Sequence, residues 1–267
     1  MYPDKLFLGL TFYDLFLMIG MLSALLLGDK LGQKRGFSVK LQKILLIATS
    51  CGLLFGLFGA VLFQAFYNFM DTGKFELNAD TGMTFYGGLL LGAGIFLLIW
   101  FVIGKKVCKD EPKKHFKDVA DIAACVIPLA HGFGRLGCFT AGCCHGKATD
   151  AWYGVAMEFA GGAKVVPVQL FEAIFLFALS AVLFTIFFKR REEKRFPLLP
   201  IYCIGYGIWR FFIEYARSDY RGESLLPFLT PSQLIAVILI IVGIVYFTLW
   251  YLIKNKKILK KDRQEDQ

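Results

Sequence analysis

Seven apolar runs of about 20 residues dominate this chain of 267 residues. A helix needs about that length to cross the roughly 30 Å hydrocarbon core of a bilayer. The strands of a membrane barrel would instead alternate apolar and polar residues over about ten positions, and the sequence has no such alternation. The pattern predicts an all-α polytopic membrane protein of about seven transmembrane helices. The expected spans are residues 6–27, 44–67, 84–104, 119–139, 167–188, 198–215 and 231–253.

The distribution of basic residues predicts the topology of these spans. Four segments hold five, six, five and six Lys or Arg, which is 22 of the 30 in the chain: residues 28–43, 105–118, 189–195 and 254–267. Loops rich in Lys and Arg stay in the cytoplasm. We therefore expect the N-terminus outside and the C-terminus in the cytoplasm. Since the net charge of +9 is spread over four loops, nucleic acid is a poor candidate partner.

The domain organisation is expected to be simple. Residues 1–253 are predicted to form one transmembrane domain, in which residues 140–166 are an outward loop that forms a small cap. Residues 254–267 are predicted to be a charged, disordered cytoplasmic tail, because few of them are apolar. The fourth span contains Pro128 and ends in the glycine-rich residues 131–138. Irregular backbone that lines a cavity is expected there.

Ionisable side chains at membrane depth are the first candidates for function, because each costs several kcal/mol in lipid. They are Asp14, Asp121, His131, Arg135, Glu172, Arg210 and Glu214. Ion pairs between helices are the simpler explanation for the two aspartates. The arginines are different, since a guanidinium stays charged and its planar fork of donors matches phosphate. The glycines around Arg135 are expected to leave backbone amides free to approach an anion.

A second group of polar residues is predicted to share this interior. Arg210, Glu214 and Arg217 are spaced four and three apart, so they lie on one face of a helix. Gln169 and Glu172 belong to the preceding span. A buried ion pair is weak evidence of stability, because desolvation can exceed the attraction. Function is the better explanation for these residues.

These motifs resemble the phosphatidylglycerol:prolipoprotein diacylglyceryl transferase family over nearly the whole chain. Gly134-Arg135-Leu136-Gly137-Cys138 is similar to the family's Gly-Arg-x-Gly-Asn core, and Gly142 and Gly146 follow at matching spacing. The other similar segments are Gly82–Gly88 for Gly-Met-Ser-Phe-His-Gly-Gly, Pro167–Glu172 for Pro-Ser-Gln-Leu-Tyr-Glu, the Arg210, Glu214 and Arg217 row for Arg-x3-Glu-x2-Arg, and Tyr13 for a first-span tyrosine.

The resemblance implies transfer of diacylglyceryl from phosphatidylglycerol to the cysteine thiol of a prolipoprotein lipobox peptide, with release of glycerol phosphate. It implies a bacterial cytoplasmic membrane enzyme that works in the lipid bilayer with no cofactor and no metal. The implied catalytic positions are Arg135, Arg210 and Tyr86, the last at the place of a family histidine; His131 is a further catalytic candidate from its position in the sequence alone. The implied substrate-binding positions are Tyr13, Gly134, Gly137, Cys138, Gly146, Gln169, Glu172, Glu214 and Arg217.

Three departures from the family pattern leave alternatives open. The family histidine is Tyr86 here, the core asparagine is Cys138 and a later acidic residue is Cys143. His131 is a candidate replacement for the lost base, although a hydrogen-bonded structural histidine explains it equally well. The acceptor also need not be the usual lipobox.

Metal binding and thiol redox exchange are a further alternative for the function. Cys138, Cys143, Cys144 and His145 suggest a zinc site or thiol redox exchange. That alternative is less favoured, because the spacing is not Cys-x-x-Cys and adjacent cysteines do not easily bind one ion. A lipid or solute transporter would need two broken spans, and the sequence suggests one at most.

Overall fold

The computed structural model describes residues 9–78, 81–190, 195–218, 226 and 228–265. The helices and strands are, in chain order, α1 (Phe12–Lys34), α2 (Val39–Thr72), α3 (Phe85–Leu98), α4 (Gly104–Cys108), α5 (Glu111–Lys114), α6 (Phe116–Ala141), β1 (Val155–Ala156), β2 (Lys164–Val165), α7 (Val168–Lys189), α8 (Leu199–Ile213) and α9 (Pro231–Glu265). A π-helical turn, Ile99–Ile103, joins α3 and α4, and a 3-10 turn, Glu214–Ala216, follows α8.

Six helical segments among these described residues are long and apolar enough to cross a membrane. They are Phe12–Lys34, Val39–Met70, Tyr86–Cys108, Phe116–Ala141, Val168–Lys189 and Pro231–Lys256. The prediction of an all-α polytopic membrane protein is therefore confirmed. Helix α8 has 15 residues, which extend about 22 Å, less than the thickness of the hydrocarbon core. The count of seven spans and the orientation of the termini stay predictions, and the expected start of the first span at residue 6 lies outside the described residues.

The chain divides into two compact units. One comprises Met1–Ala24 and Ala123–Gln267, and the other comprises Leu25–Ile122. In the second unit α2 and α3 approach closely at glycines, as small residues allow in membrane helices. A Cβ on Gly59 would lie 2.7 Å from the carbonyl oxygen of Gly87. The predictions of a single domain over residues 1–253 and of an outward position for the loop stay predictions.

In the first unit, the loop 140–166 contains a short hairpin in which β1 pairs antiparallel with β2. Gly146 forms an isolated bridge with Arg217, just beyond the 3-10 turn that follows α8. The Ser180 hydroxyl on α7 donates to the carbonyl of Cys125 on α6, at 2.9 Å. These contacts link the loop to the end of α8, and α7 to α6, within one unit.

The expectation of an irregular fourth span is wrong, because α6 is continuous from Phe116 to Ala141 with Pro128 inside it. Residues 131–138 are therefore helical, and their amides do not form a loop around an anion. Their glycines instead allow close packing. A Cβ on Gly132 would lie 2.7 Å from the ring of Phe177.

The expectation of a disordered tail is also wrong, because α9 continues to Glu265. Neither glycine nor proline occurs after Gly243. The Lys, Leu, Gln and Glu residues of the tail are good helix formers. The polar composition of the tail therefore did not prevent helix formation.

Candidate active site

A buried carboxylate on α7 lies at the centre of the predicted site. Oε2 of Glu172 is 3.0 Å from Nε of Arg135, 3.7 Å from Nη1 of Arg210 and 3.9 Å from Nη1 of Arg217. The Tyr206 hydroxyl donates to Oε1 of Glu172 at 3.0 Å. The Glu172 side chain has no solvent exposure. One carboxylate thus brings together groups from α6, from α8 and from the residue after the 3-10 turn.

A second carboxylate, Glu214, supports the same guanidiniums. Its Oε2 lies 2.7 Å from Nη2 of Arg210 and 3.9 Å from Nε of Arg217. The Thr230 hydroxyl donates to Oε1 of Glu214 at 3.2 Å. Arg210 also donates to the hydroxyl of Ser232, at 2.8 Å. Arg210, Glu214 and Arg217 are therefore one connected network. The expectation that they share one helix is wrong, because α8 ends at Ile213 and Arg217 follows the 3-10 turn in an extended conformation.

The cluster concentrates guanidinium groups in the protein interior. All three guanidiniums lie within 4 Å of Glu172, and those of Arg210 and Arg217 also lie within 4 Å of Glu214. The Arg135 side chain is the most accessible of the three, with 14% exposed against 7% for Arg210 and 2% for Arg217. Within the described part of the chain, neither Nε of Arg135 nor Oε2 of Glu172 has an aligned hydrogen-bond partner. Arg135 can therefore turn a donor toward a ligand.

Three cysteine sulfurs lie together beside this network. The Sγ atoms of Cys138, Cys143 and Cys144 are all within 4.8 Å of one another. Helix α6 ends at Ala141, three residues after Cys138. Gly142 follows with a φ of 76°, and the Cys143 N–H donates to the carbonyl of Cys138 at 3.2 Å. The side-chain amide of Gln169 donates to the carbonyl of Cys143 at 2.5 Å. The loop that carries the adjacent cysteines is thus attached to α6 and α7.

The pKa values of the two loop cysteines, Cys143 and Cys144, are shifted in opposite directions. The pKa of Cys144 is lowered by the neighbouring thiols of Cys138 and Cys143 and by the guanidiniums of Arg217 and Arg135, which favour the thiolate. The pKa of Cys143 is raised, since its hydrogen bonds with Cys138 and Cys144 favour its protonated form. Negative charge in the cluster therefore favours Cys144.

The remaining predicted residues of this unit have clear positions. The His131 ring lies edge-on to that of Tyr206, with centroids 5.3 Å apart. A Cβ on Gly137 would lie 3.1 Å from Cδ2 of Tyr13, so α1 approaches α6 closely there. A Cβ on Gly134 would meet no atom within 4 Å. The Gly134 position therefore faces open space.

Gly146 has a structural reason to be glycine. Its N–H donates to the carbonyl of Val166 at 2.9 Å. An added Cβ would lie 2.5 Å from the carbonyl oxygen of Ala216, closer than carbon and oxygen can approach. Only glycine allows the loop to approach the chain at this point.

Two predicted residues lie elsewhere. Tyr86 belongs to the second unit, in the first turn of α3, and its side chain is 37% exposed; its catalytic role stays a prediction. The Asp14 carboxylate accepts hydrogen bonds from the N–H and the hydroxyl of Thr11, at 2.9 and 2.7 Å. Local hydrogen bonds at the start of α1 therefore account for Asp14 better than the ion pair expected from the sequence.

Sequence reasoning missed three side chains of the network, Tyr206, Thr230 and Ser232. Tyr206 precedes Arg210 by four residues, so the helical spacing already placed both on one face. Thr230 and Ser232 lie at the start of α9, where serine and threonine are common for local reasons. Nothing in the sequence indicated that their hydroxyls reach a neighbouring helix.

Comparison with known proteins agrees with this arrangement. Residues 5–249 match the family model of prolipoprotein diacylglyceryl transferase. The chain is 30% identical to phosphatidylglycerol–prolipoprotein diacylglyceryl transferase 2 of Clostridium perfringens, over 90% of this chain and 92% of the relative. It is 32% identical to the phosphatidylglycerol–prolipoprotein diacylglyceryl transferase of Clostridium tetani, over 89% and 92%. The resemblance read from the motifs is thereby confirmed, and the chain belongs to the prolipoprotein diacylglyceryl transferase family.

Proposed function

We propose that this protein transfers the diacylglyceryl group of phosphatidylglycerol to the cysteine thiol of a prolipoprotein lipobox, with release of glycerol phosphate, in the bacterial cytoplasmic membrane. The observation that carries the proposal is the cluster of three guanidiniums around the buried carboxylate of Glu172. The names of the relatives, which contain phosphatidylglycerol and prolipoprotein, support the choice of substrates.

The guanidiniums suit the departing group of this reaction. When the acceptor sulfur attacks the glyceryl carbon, the bond from that carbon to the phosphate oxygen breaks and negative charge accumulates on the phosphate. Donors fixed in advance near that charge stabilise the transition state. Arg135 is the most accessible guanidinium and is the expected first contact. Arg210 is held by Glu214 and Ser232 and is the expected second contact.

The carboxylates have a positioning role in this proposal. Glu172 has no solvent exposure and lies within 4 Å of all three guanidiniums. It keeps like charges together that would otherwise repel one another. Without a carboxylate there, the guanidiniums would have no fixed geometry for a phosphate. Glu172 and Glu214 are therefore positioning residues.

An apolar groove on α7 and α8 offers a surface for an acyl chain of the lipid donor. It has a volume of about 310 Å³ and is lined by Phe171, Ile174, Phe175 and Trp209.

The acceptor thiol must lose its proton, because the thiolate is the nucleophile. The resemblance places a histidine where this chain has Tyr86, and a phenol keeps its proton at neutral pH. His131, beside Tyr206, is the candidate base within the first unit. The replacements at Tyr86, Cys138 and Cys143 also favour a second candidate function, transfer of the same lipid group to an acceptor other than the lipobox.

The test is transfer of label from radiolabelled phosphatidylglycerol vesicles to a lipobox peptide by purified protein. Arg135→Ala and Arg210→Ala should abolish the label on the peptide. Arg190→Ala is the matched control, because its guanidinium stacks on the rings of Phe187 and Phe196 at the other end of α7. Full activity in both site variants would contradict the phosphate role. No label from folded wild-type protein would favour the other acceptor.

A further inference from the structure

The cysteine cluster has a feature that the proposed function does not use. Its three sulfurs belong to one group with no histidine or carboxylate among the described residues. Nδ1 of His145 instead faces the carbonyl of Gly146 at 3.0 Å. Three soft ligands converge on one point, and the structure offers no fourth protein ligand there within the described ranges.

The backbone explains how two adjacent cysteines reach the same point. Cys144 has a φ of 60°, a left-handed conformation that non-glycine residues rarely adopt. In an extended chain, neighbouring side chains point to opposite sides. The left-handed turn at Cys144 removes that alternation, and both loop sulfurs come within 4.8 Å of the Cys138 sulfur. The argument from the sequence against adjacent cysteines as ligands therefore does not hold in this loop.

We propose that Cys138, Cys143 and Cys144 bind one Zn²⁺ ion through three thiolates, and that its fourth position binds the acceptor thiol and holds it as a thiolate. The identity of this acceptor rests on the proposed function. Zinc sites with three protein ligands keep an open position for water or substrate, and a thiol that coordinates zinc is deprotonated. The ion would thus deprotonate the acceptor thiol, a role for which the chain lacks the family histidine and has Tyr86 instead.

The distances in the cluster agree with zinc. A tetrahedral ion with Zn–S bonds of about 2.3 Å needs sulfurs about 3.8 Å apart. Since the three sulfurs are within 4.8 Å of one another, the cluster has to contract by at most about 1 Å. Sulfur ligands also suit Cu⁺, but the transfer needs an ion without redox chemistry.

The chemical step balances without an oxidant or reductant. The acceptor thiol binds the ion and its proton passes to solvent. The sulfur then attacks the glyceryl carbon, a carbon–sulfur bond forms, and the carbon–oxygen bond breaks with its electron pair on the phosphate oxygen. The product is a neutral thioether, which is a weaker ligand than a thiolate and leaves the ion. The phosphate charge develops beside Arg135.

The first experiment measures the metal directly. Protein freed of metal with a chelator under reducing conditions is titrated with Zn²⁺ against a chromophoric competitor. We expect one ion per chain. Cys138→Ser, Cys143→Ser and Cys144→Ser should each weaken binding by at least about tenfold, because loss of a direct ligand costs no less than loss of an outer-shell partner. Cys51→Ser, a free cysteine of the second unit, is the matched control and should bind normally.

The second experiment tests the open position with Co²⁺ in place of Zn²⁺, because Co²⁺ has absorption bands that report its ligands. A lipobox peptide with cysteine should shift these bands, and the same peptide with serine should not. The proposal is overturned if the protein does not bind stoichiometric zinc, or if it binds Cu⁺ but not Zn²⁺. It is also overturned if Cys144→Ser leaves the affinity for Zn²⁺ unchanged, or if the cysteine peptide does not shift the Co²⁺ bands.

Failure of this proposal is distinguishable from failure of the proposed function. Zinc-free protein that still transfers label from phosphatidylglycerol at the full rate would refute the zinc site and leave the transferase proposal intact. Protein that binds zinc and the cysteine peptide, yet transfers no label, would refute phosphatidylglycerol as the donor. Neither result depends on the other measurement.

Discussion

Replacement of Arg135 by alanine should lower the rate of transfer by about 10² to 10³, or about 3–4 kcal/mol of transition-state stabilisation. The substitution removes the most accessible of the three guanidiniums near Glu172. The fold should survive, because Glu172 keeps Arg210 at 3.7 Å, Arg217 at 3.9 Å and the Tyr206 hydroxyl at 3.0 Å. The expected result is folded protein with little activity.

The assay is the initial rate of label transfer from phosphatidylglycerol to a lipobox peptide at saturating peptide, with thermal unfolding in detergent measured in parallel. Arg135→Lys keeps the charge but not the planar fork, so its rate should fall between those of wild type and alanine. Arg190→Ala should retain the wild-type rate. A folded Arg135→Ala protein with the wild-type rate would refute the reasoning, because the most accessible guanidinium would then have no part in the reaction.

The other predictions concern residues that position the site. Glu172→Gln should lower the free energy of unfolding by about 3–5 kcal/mol, because it removes the partner of buried charges; an unchanged unfolding midpoint in detergent would contradict this. Gly146→Ala should lower the free energy of unfolding by about 1–3 kcal/mol and slow transfer, because its Cβ would lie 2.5 Å from the carbonyl oxygen of Ala216. An unfolding midpoint equal to that of the wild type would contradict this close approach. Gly134→Ala should unfold no earlier than wild type, because the added Cβ meets nothing within 4 Å. An earlier unfolding midpoint would contradict the open space at this position.

Much of the fold and part of the site could be predicted because they depend on local properties of the chain. Long apolar runs indicate helices in lipid, whatever their neighbours are. The spacing of Arg210 and Glu214 brings their side chains to one side of the chain, whereas the sequence did not show that α8 ends at Ile213 and that Arg217 follows a 3-10 turn. The prediction of irregular backbone failed for residues 131–138, because closely spaced glycines indicate a loop and close helix packing equally well. In α6 the packing against Phe177 and Tyr13 decided the outcome.

By itself, then, the sequence determined that this chain is a polytopic membrane protein, that Arg135, Glu172 and Arg210 belong to its polar interior, and which family it belongs to. Only the tertiary structure decided that Glu172 is the shared partner of three arginines and that Arg135 is the most accessible of them. It also decided that three cysteine sulfurs converge within 4.8 Å. The physical reason is that helical periodicity specifies the face of one helix, whereas contacts between helices depend on their packing and on single backbone angles such as the φ of 60° at Cys144.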